Sequence, residues 1–183
     1  MIVSQKNINE FLANTNDFFV TSDTWFGRTN IIQIAKRPFK DINEMNNKLI
    51  KKWNSVVTKD DVVFHLGNFA WDPITSENVL RKLNGTIIFL PSNNDTTLYE
   101  CKTANISQES ILLLNKFDVV LCHWPMKNWP GKDTGTVHFH GHEVYTNDTV
   151  LVQGCNVINT CTDFWDYKPI QYTTIKSIIE YKS

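Results

Sequence analysis

Two histidines follow segments whose apolar character predicts buried strands. His123 comes directly after the apolar residues 119–122, and His142 follows the segment 136–140. Imidazole nitrogens bind divalent metals, so histidines gathered at strand ends are a common way to build a metal site. We therefore expect His123 and His142 to belong to one functional site. His138 and His140 lie within the second segment, and we expect them to be hydrogen-bonded residues of the core.

Acidic and amide side chains follow three further apolar segments of the same kind, and they are Asp23, Asn68, Asn93 and Asn94. In open α/β sheets, ligands bind beyond the carboxyl ends of the strands. The repetition of polar residues at these places predicts a single site built by several strand-end loops.

These side chains must be positioned by strands and helices. Short apolar runs bounded by polar residues predict strands at 18–21, 61–66, 86–90, 117–121, 136–140, 149–153 and 155–159. Apolar residues at helical spacing predict helices within residues 1–16, at about 42–57, 72–84, 107–114 and 173–181. Strands that alternate with helices and then follow one another are typical of a layered α/β fold. The 183 residues fit a single domain over 1–183, with residues 1–16 as an N-terminal extension.

Composition excludes several classes of protein. A net charge of -1 gives no general attraction to duplex nucleic acid, and no apolar run approaches the roughly 18 residues of a membrane span. The cysteines are Cys101, Cys122, Cys155 and Cys161, and no CxxC spacing for a structural zinc site occurs among them. Cys122 lies in an apolar run and is expected to be buried. We expect a soluble, cytoplasmic protein with reduced thiols.

The order of the polar loops is similar to that of a known family. Where that family has D-x-H, G-D, G-N-H-D, a strand-end H and G-H-x-H, this chain has Asp23-Thr24-Trp25, Gly67-Asn68, Ser92-Asn93-Asn94-Asp95, His123 and Gly141-His142-Glu143-Val144. In these loops, and in flanking segments such as 37–39 and 163–169, the chain resembles the calcineurin-like metallophosphoesterases, especially their small bacterial and phage branch. The resemblance extends over nearly the whole chain from Phe18. It implies a layered β-sandwich of mixed sheets flanked by helices.

The same resemblance implies that the catalytic positions have changed. The family holds two divalent metals that activate a water and polarise a phosphate ester. Of the first metal's ligands only Asp23 remains, because Trp25, Asn68 and Val144 occupy the other places. Asn94 stands where the family has its catalytic histidine. We therefore expect no catalytic residue and no metal cofactor.

A remaining metal site would be weak. Asn93, His123 and His142 occupy second-metal positions, but the shared carboxylate is replaced by the amide of Asn68. An amide is a neutral ligand, and a bridge between two dications needs negative charge. At most one divalent metal is expected, at Asn93, His123 and His142.

The function that follows is binding without hydrolysis of a nucleotide or another phosphorylated small molecule. The expected ligand-binding residues are Asp23, Trp25, Arg28, Asn68, Asn93, Asn94, His123 and His142. Arg28 can grip a phosphate in bidentate fashion. Trp25 has two alternative roles, which are to stack on a nucleobase or to fill the emptied metal cavity. If the chain is phage-encoded, such a protein could act in the host cytoplasm as an anti-defence sponge for a nucleotide immune signal.

Two alternatives stay open. One is a protein-binding module that contacts a host partner, with anchors among the tryptophans Trp71, Trp124, Trp129 and Trp165, of which at least two are expected to pack in the core. The other is a weak phosphodiesterase that uses the single metal described above.

Overall fold

The computed structural model describes residues 1–144 and 156–182. Its strands are β1 (Ile2–Val3), β2 (Phe19–Thr21), β3 (Val62–His65), β4 (Thr86–Phe89), β5 (Asn105–Ser107), β6 (Ile111–Leu114), β7 (Val119–Cys122), β8 (Val137–His140), β9 (Val157–Asn159) and β10 (Ile170–Gln171). Its α-helices are α1 (Gln5–Leu12), α2 (Ile31–Ile34), α3 (Ile42–Asn54), α4 (Pro73–Leu80) and α5 (Tyr172–Lys182). The strand expected at 149–153 lies outside the described residues, as does Cys155.

Within the described residues the strands form two sheets. The first sheet has the order β1-β5-β4-β3-β2-β10, and the second sheet has the order β6-β7-β8-β9. Both sheets are mixed, because β10 is antiparallel to β2 and β6 is antiparallel to β7, whereas the other neighbouring strands are parallel. The expected α/β fold with two mixed sheets flanked by helices is confirmed.

The first sheet is buried on both faces, since successive side chains of a strand point to opposite sides. Val20 and Phe64 belong to one core cluster together with Leu121 of the second sheet. Val63 belongs to a second cluster together with Leu49 of α3. Burial on both faces explains why the strands read as continuous apolar runs rather than alternating ones.

Helix α3 begins where the sequence provides a cap. The Asp41 side chain accepts a hydrogen bond from the Glu44 N–H, and the helix buries Met45, Leu49 and Trp53 along one face. The helix predicted at about 42–57 is thereby confirmed.

The helix predicted near 107–114 is wrong. These residues instead contain the end of β5 and the whole of β6. In β6, Leu112 and Leu114 are buried whereas Ile111 and Leu113 are exposed, which is the alternation of a strand. Four consecutive apolar residues fit helical and extended spacing alike, so periodicity alone could not distinguish a helix from a strand here.

The alternation in β6 predicts unequal effects of two neighbouring substitutions. Leu112→Ala removes a side chain that is 0% exposed, and it should lower the free energy of unfolding by at least about 2 kcal/mol. Leu113→Ala, at a residue that is 36% exposed, should lower it by less than half of that amount. Urea denaturation followed by circular dichroism measures both. Equal losses would contradict the strand assignment.

The remaining segments complete the layers. Residues 1–16, expected as an extension, contribute β1, which pairs with β5, and Val3 and Ile8 are buried. Cys122 is buried, as expected. None of the helices in the described part of the chain is long and apolar enough to cross a membrane.

Candidate functional site

Loops from the ends of both sheets are joined by hydrogen bonds between predicted site residues. Asn68, after β3, donates to Asp23, after β2. Asn94, after β4, donates to Asn68. The backbone N–H of His142, after β8, donates to Asp23. The structure therefore brings four of the predicted site residues together at the carboxyl ends of the strands.

Asp23 lies at the centre of this group and is fully buried. Its Oδ1 accepts from the Asn68 Nδ2 at 2.7 Å, and its Oδ2 accepts from the Ser22 Oγ at 2.7 Å and the His142 N–H at 3.0 Å. Burial raises the pKa of Asp23, and these hydrogen bonds act in the opposite direction. The carboxylate is thus held by neutral donors.

Asn68 uses both ends of its amide. A carboxylate has only acceptor positions, so the donating Nδ2 must face Asp23. The amide Oδ1 accepts from the Asn94 Nδ2 at 3.0 Å and lies 2.8 Å from the Ser92 Oγ. The amide is oriented by partners on both sides and cannot rotate to present its oxygen to Asp23 without losing them.

His123 has one ring nitrogen occupied and one free. Its Nδ1 lies 2.6 Å from the Leu66 carbonyl, which can only accept, so Nδ1 carries a hydrogen. Its Nε2 is buried and has no hydrogen-bond partner within the described residues. The exposed His142 ring lies beside it, with 5.2 Å between the ring centroids. The free lone pair of Nε2 could bind a metal ion or accept a hydrogen bond.

Trp25 and Arg28 form a separate contact. Trp25 is 4% exposed and packs in the same cluster as α3. The Arg28 guanidinium carbon lies 4.1 Å from the centroid of the Trp25 ring. A buried ring that is also covered by a guanidinium has little room for a nucleobase. Of the two roles expected for Trp25, this position agrees with filling the cavity.

Two other histidines, His138 and His140, and two of the other tryptophans, Trp129 and Trp165, pack within the protein. His138 Nδ1 lies 3.3 Å from the Val120 carbonyl, and His140 Nδ1 lies 2.9 Å from the Gly141 carbonyl. Burial lowers the pKa of His138 to about 4 and also lowers that of His140. Both are buried, as expected. Trp129 is buried and Trp165 is partly buried against the core, so the expectation for the tryptophans is confirmed as well.

Asn93 does not join the group. It is exposed on the turn after β4, and in the part of the chain that the structure describes its side chain has no hydrogen bond to another predicted site residue. Across the same residues, no group of three or more His, Cys, Asp and Glu side chains is arranged to hold a metal ion.

Comparison with known proteins gives a relative and a solved structure. No protein-family model matches the chain. The chain is 30% identical over 171 residues to the uncharacterized protein MJ1445 of Methanocaldococcus jannaschii, a match that covers 88% of this chain and 90% of the relative. The chain belongs to the MJ1445 family. The crystal structure of AQ665 of Aquifex aeolicus, a protein of unknown function, matches this member of the MJ1445 family with a TM-score of 0.65. The two sequences are 23% identical, and the match covers 89% of this chain and 99% of the AQ665 chain. This likeness shows a shared fold.

In this member of the MJ1445 family, Asp95 fixes the two loops that carry the amides. Asp95 is fully buried, and it accepts hydrogen bonds from the backbone N–H groups of Asn68, Phe69 and Ser92 at 2.7, 2.8 and 2.7 Å. The Ser92 Oγ lies 2.6 Å from it. Sequence reasoning missed this role, although the position of Asp95 in its motif was a signal.

Arg37 fixes the loop that carries Asp23, and it was also missed as a site-supporting residue. Its guanidinium pairs with both carboxylate oxygens of Asp163 at 2.8 and 2.7 Å. It also donates to the backbone carbonyls of Asp23 at 2.6 Å and Thr24 at 2.8 Å. Because Arg37 is only 3% exposed, this buried ion pair holds the shape of the loop.

Proposed function

We propose that this chain is a catalytically inactive relative of the calcineurin-like metallophosphoesterases that binds a nucleotide or another phosphorylated small molecule without hydrolysing it. The observation that carries the proposal is the 2.7 Å hydrogen bond from the Asn68 Nδ2 to Asp23. It supports loss of two-metal catalysis, because an amide N–H stands where an anionic metal ligand would be needed.

The residues present do not fit a two-metal centre. A ligand shared between two metal cations must be anionic, but the amide of Asn68 is neutral and presents its N–H to Asp23. Trp25 packs its buried ring in the loop after β2 and has no metal-binding atom. A metal-activated water is therefore not part of the proposed function.

The guanidinium of Arg28 suits a phosphate ligand. The Arg28 Nε donates a hydrogen bond to the Asn30 Oδ1, and the two terminal nitrogens of Arg28 have no hydrogen-bond partner in the described residues. A guanidinium forms charge-assisted hydrogen bonds to phosphate oxygens, often in bidentate fashion.

Calorimetric titration in the presence of EDTA tests this function. We expect ribose 5-phosphate and nucleoside 5′-monophosphates to bind without added metal. Arg28→Ala should weaken that binding roughly ten- to hundredfold, because a hydrogen bond to a charged group is lost. The matched control is Arg81→Ala, since Arg81 is exposed and pairs with Glu77 on α4. Failure of every phosphorylated probe to bind in EDTA, or turnover of bis(4-nitrophenyl) phosphate with Mn²⁺, would contradict the proposal. Binding that survives Arg28→Ala would show that Arg28 does not hold the phosphate.

His123 favours a second candidate, a weak single-metal phosphodiesterase. A buried Nε2 without a partner, on a ring whose Nδ1–H is held by a carbonyl, is how a metal-binding histidine is oriented. His142, whose ring centroid lies 5.2 Å from that of His123, would be the second ligand of such a site, whereas the expected third ligand Asn93 lies apart from the group. Mn²⁺-dependent turnover that is abolished by His142→Ala would replace the first proposal with this one.

A further inference from the structure

Trp71 is a large aromatic side chain left open to solvent near the candidate site. It is 58% exposed and follows the loop that carries Asn68. Its backbone is fixed, because the Trp71 N–H donates to the Phe26 carbonyl at 2.8 Å. An aromatic ring with an open surface, carried on a fixed backbone, offers a platform on which another flat group can stack.

The Arg28 guanidinium lies beside the Trp71 ring and also beside the ring of Trp25, a predicted site residue. Its guanidinium carbon lies 5.3 Å from the centroid of the Trp71 ring and 4.1 Å from that of the buried Trp25 ring. The Asn30 Oδ1 accepts from the Arg28 Nε at 3.0 Å, which fixes the plane of the guanidinium. The charge is thus held beside the exposed ring.

None of the ion pairs in the described part of the chain includes Arg28. Asp72 is the N-cap of α4, and its Oδ1 accepts from the Thr75 N–H at 2.8 Å. Its Oδ2 accepts from the Thr75 Oγ1 at 2.6 Å. The Asp72 carboxylate, one residue after Trp71, thus caps α4. Because Arg28 has no ion-pair partner among the described residues, its guanidinium remains available to an anion from outside the chain.

We infer that Trp71 and Arg28 form a nucleotide subsite, in which the base stacks on Trp71 and the phosphate binds Arg28. This inference rests on the proposed function and names its ligand class. A flat base can stack on the exposed Trp71 ring, and a phosphate can hydrogen-bond to the Arg28 guanidinium beside it. A phosphorylated sugar has no flat base and would bind Arg28 alone.

Calorimetric titration in EDTA with three kinds of probe tests the subsite: the four nucleoside 5′-monophosphates, ribose 5-phosphate and adenosine. Trp71→Ala should weaken binding of the preferred nucleoside monophosphate roughly 5- to 150-fold and leave the affinity for ribose 5-phosphate unchanged. Trp71→Phe keeps an aromatic face and should retain most of the affinity. Ile74→Ala is the matched control, because Ile74 is 75% exposed on α4 and apolar.

The outcomes separate the two claims. Equal affinity for ribose 5-phosphate and the nucleotides, unaltered by Trp71→Ala, would overturn the subsite and leave the proposed function standing. Adenosine binding as tightly as its monophosphate would overturn the phosphate role of Arg28. If none of the phosphorylated probes binds, the subsite and the proposed function both fail.

Discussion

Replacing Asp95 with alanine is expected to lower the free energy of unfolding by about 5 kcal/mol. The substitution leaves three buried N–H groups, those of Asn68, Phe69 and Ser92, without their acceptor. An unsatisfied buried donor costs about 1–3 kcal/mol, and here three such losses fall in the two loops that follow β3 and β4. Urea denaturation monitored by circular dichroism measures the effect.

Two further variants make the result interpretable. Asp60→Ala removes an exposed carboxylate and should change the free energy of unfolding by less than about 0.5 kcal/mol. Asp95→Asn keeps the shape but turns an amide N–H toward backbone N–H groups, so it should also destabilise the protein. If Asp95→Asn is as stable as the natural chain, Asp95 is not acting as the common acceptor.

Asn68→Asp is expected to make stability depend strongly on pH. The introduced carboxyl would lie where the Asn68 amide now contacts the buried Asp23 at 2.7 Å, and two carboxylates at that distance share one proton. Burial already raises the pKa of Asp23, and the second carboxyl raises it further. A pair whose folded-state pKa lies above the unfolded value of about 4 contributes stability below that value. That contribution is lost as the pH rises through the folded-state pKa.

The deficit of Asn68→Asp should therefore be small at pH 4 and reach about 3 kcal/mol at pH 8. Denaturation midpoints of the variant and the natural chain across this range measure it. Adding Mn²⁺ at pH 8 should recover part of the deficit, because a cation can take the place of the shared proton. Asn93→Asp is the matched control, since Asn93 is exposed and should show neither effect. A deficit that is independent of pH would show that the carboxyls do not meet.

The fold was largely readable from the sequence because buried strands and one amphipathic helix leave plain patterns. Val63 and its neighbours form a continuous apolar run, and α3 has both a cap at Asp41 and an apolar stripe. The helix predicted around Leu112 was wrong because a short apolar run has no period that distinguishes a helix from a strand. Strands of two residues, such as β1 and β10, are defined by their neighbours and leave no pattern of their own.

The site was readable only in part. The loop order placed Asp23 and Asn68 together, because residues at the ends of adjacent parallel strands must be close. It could not give the direction of the Asn68 amide, which is set by Ser92 and Asn94 through space. Nor could it reveal the pair of Arg37 and Asp163, whose members are 126 residues apart in the chain.

Four residues of the site have left-handed backbones, with φ values of 57° at Asp23, 52° at Trp25, 59° at Asn68 and 72° at His142. For a residue with a side chain this conformation costs roughly 1–2 kcal/mol, and glycine avoids most of that cost. A redesign of this chain that optimised stability alone would thus replace these residues first and erase the site. An engineer who wants a more stable protein that keeps the candidate site should hold these four positions fixed and improve the sequence elsewhere.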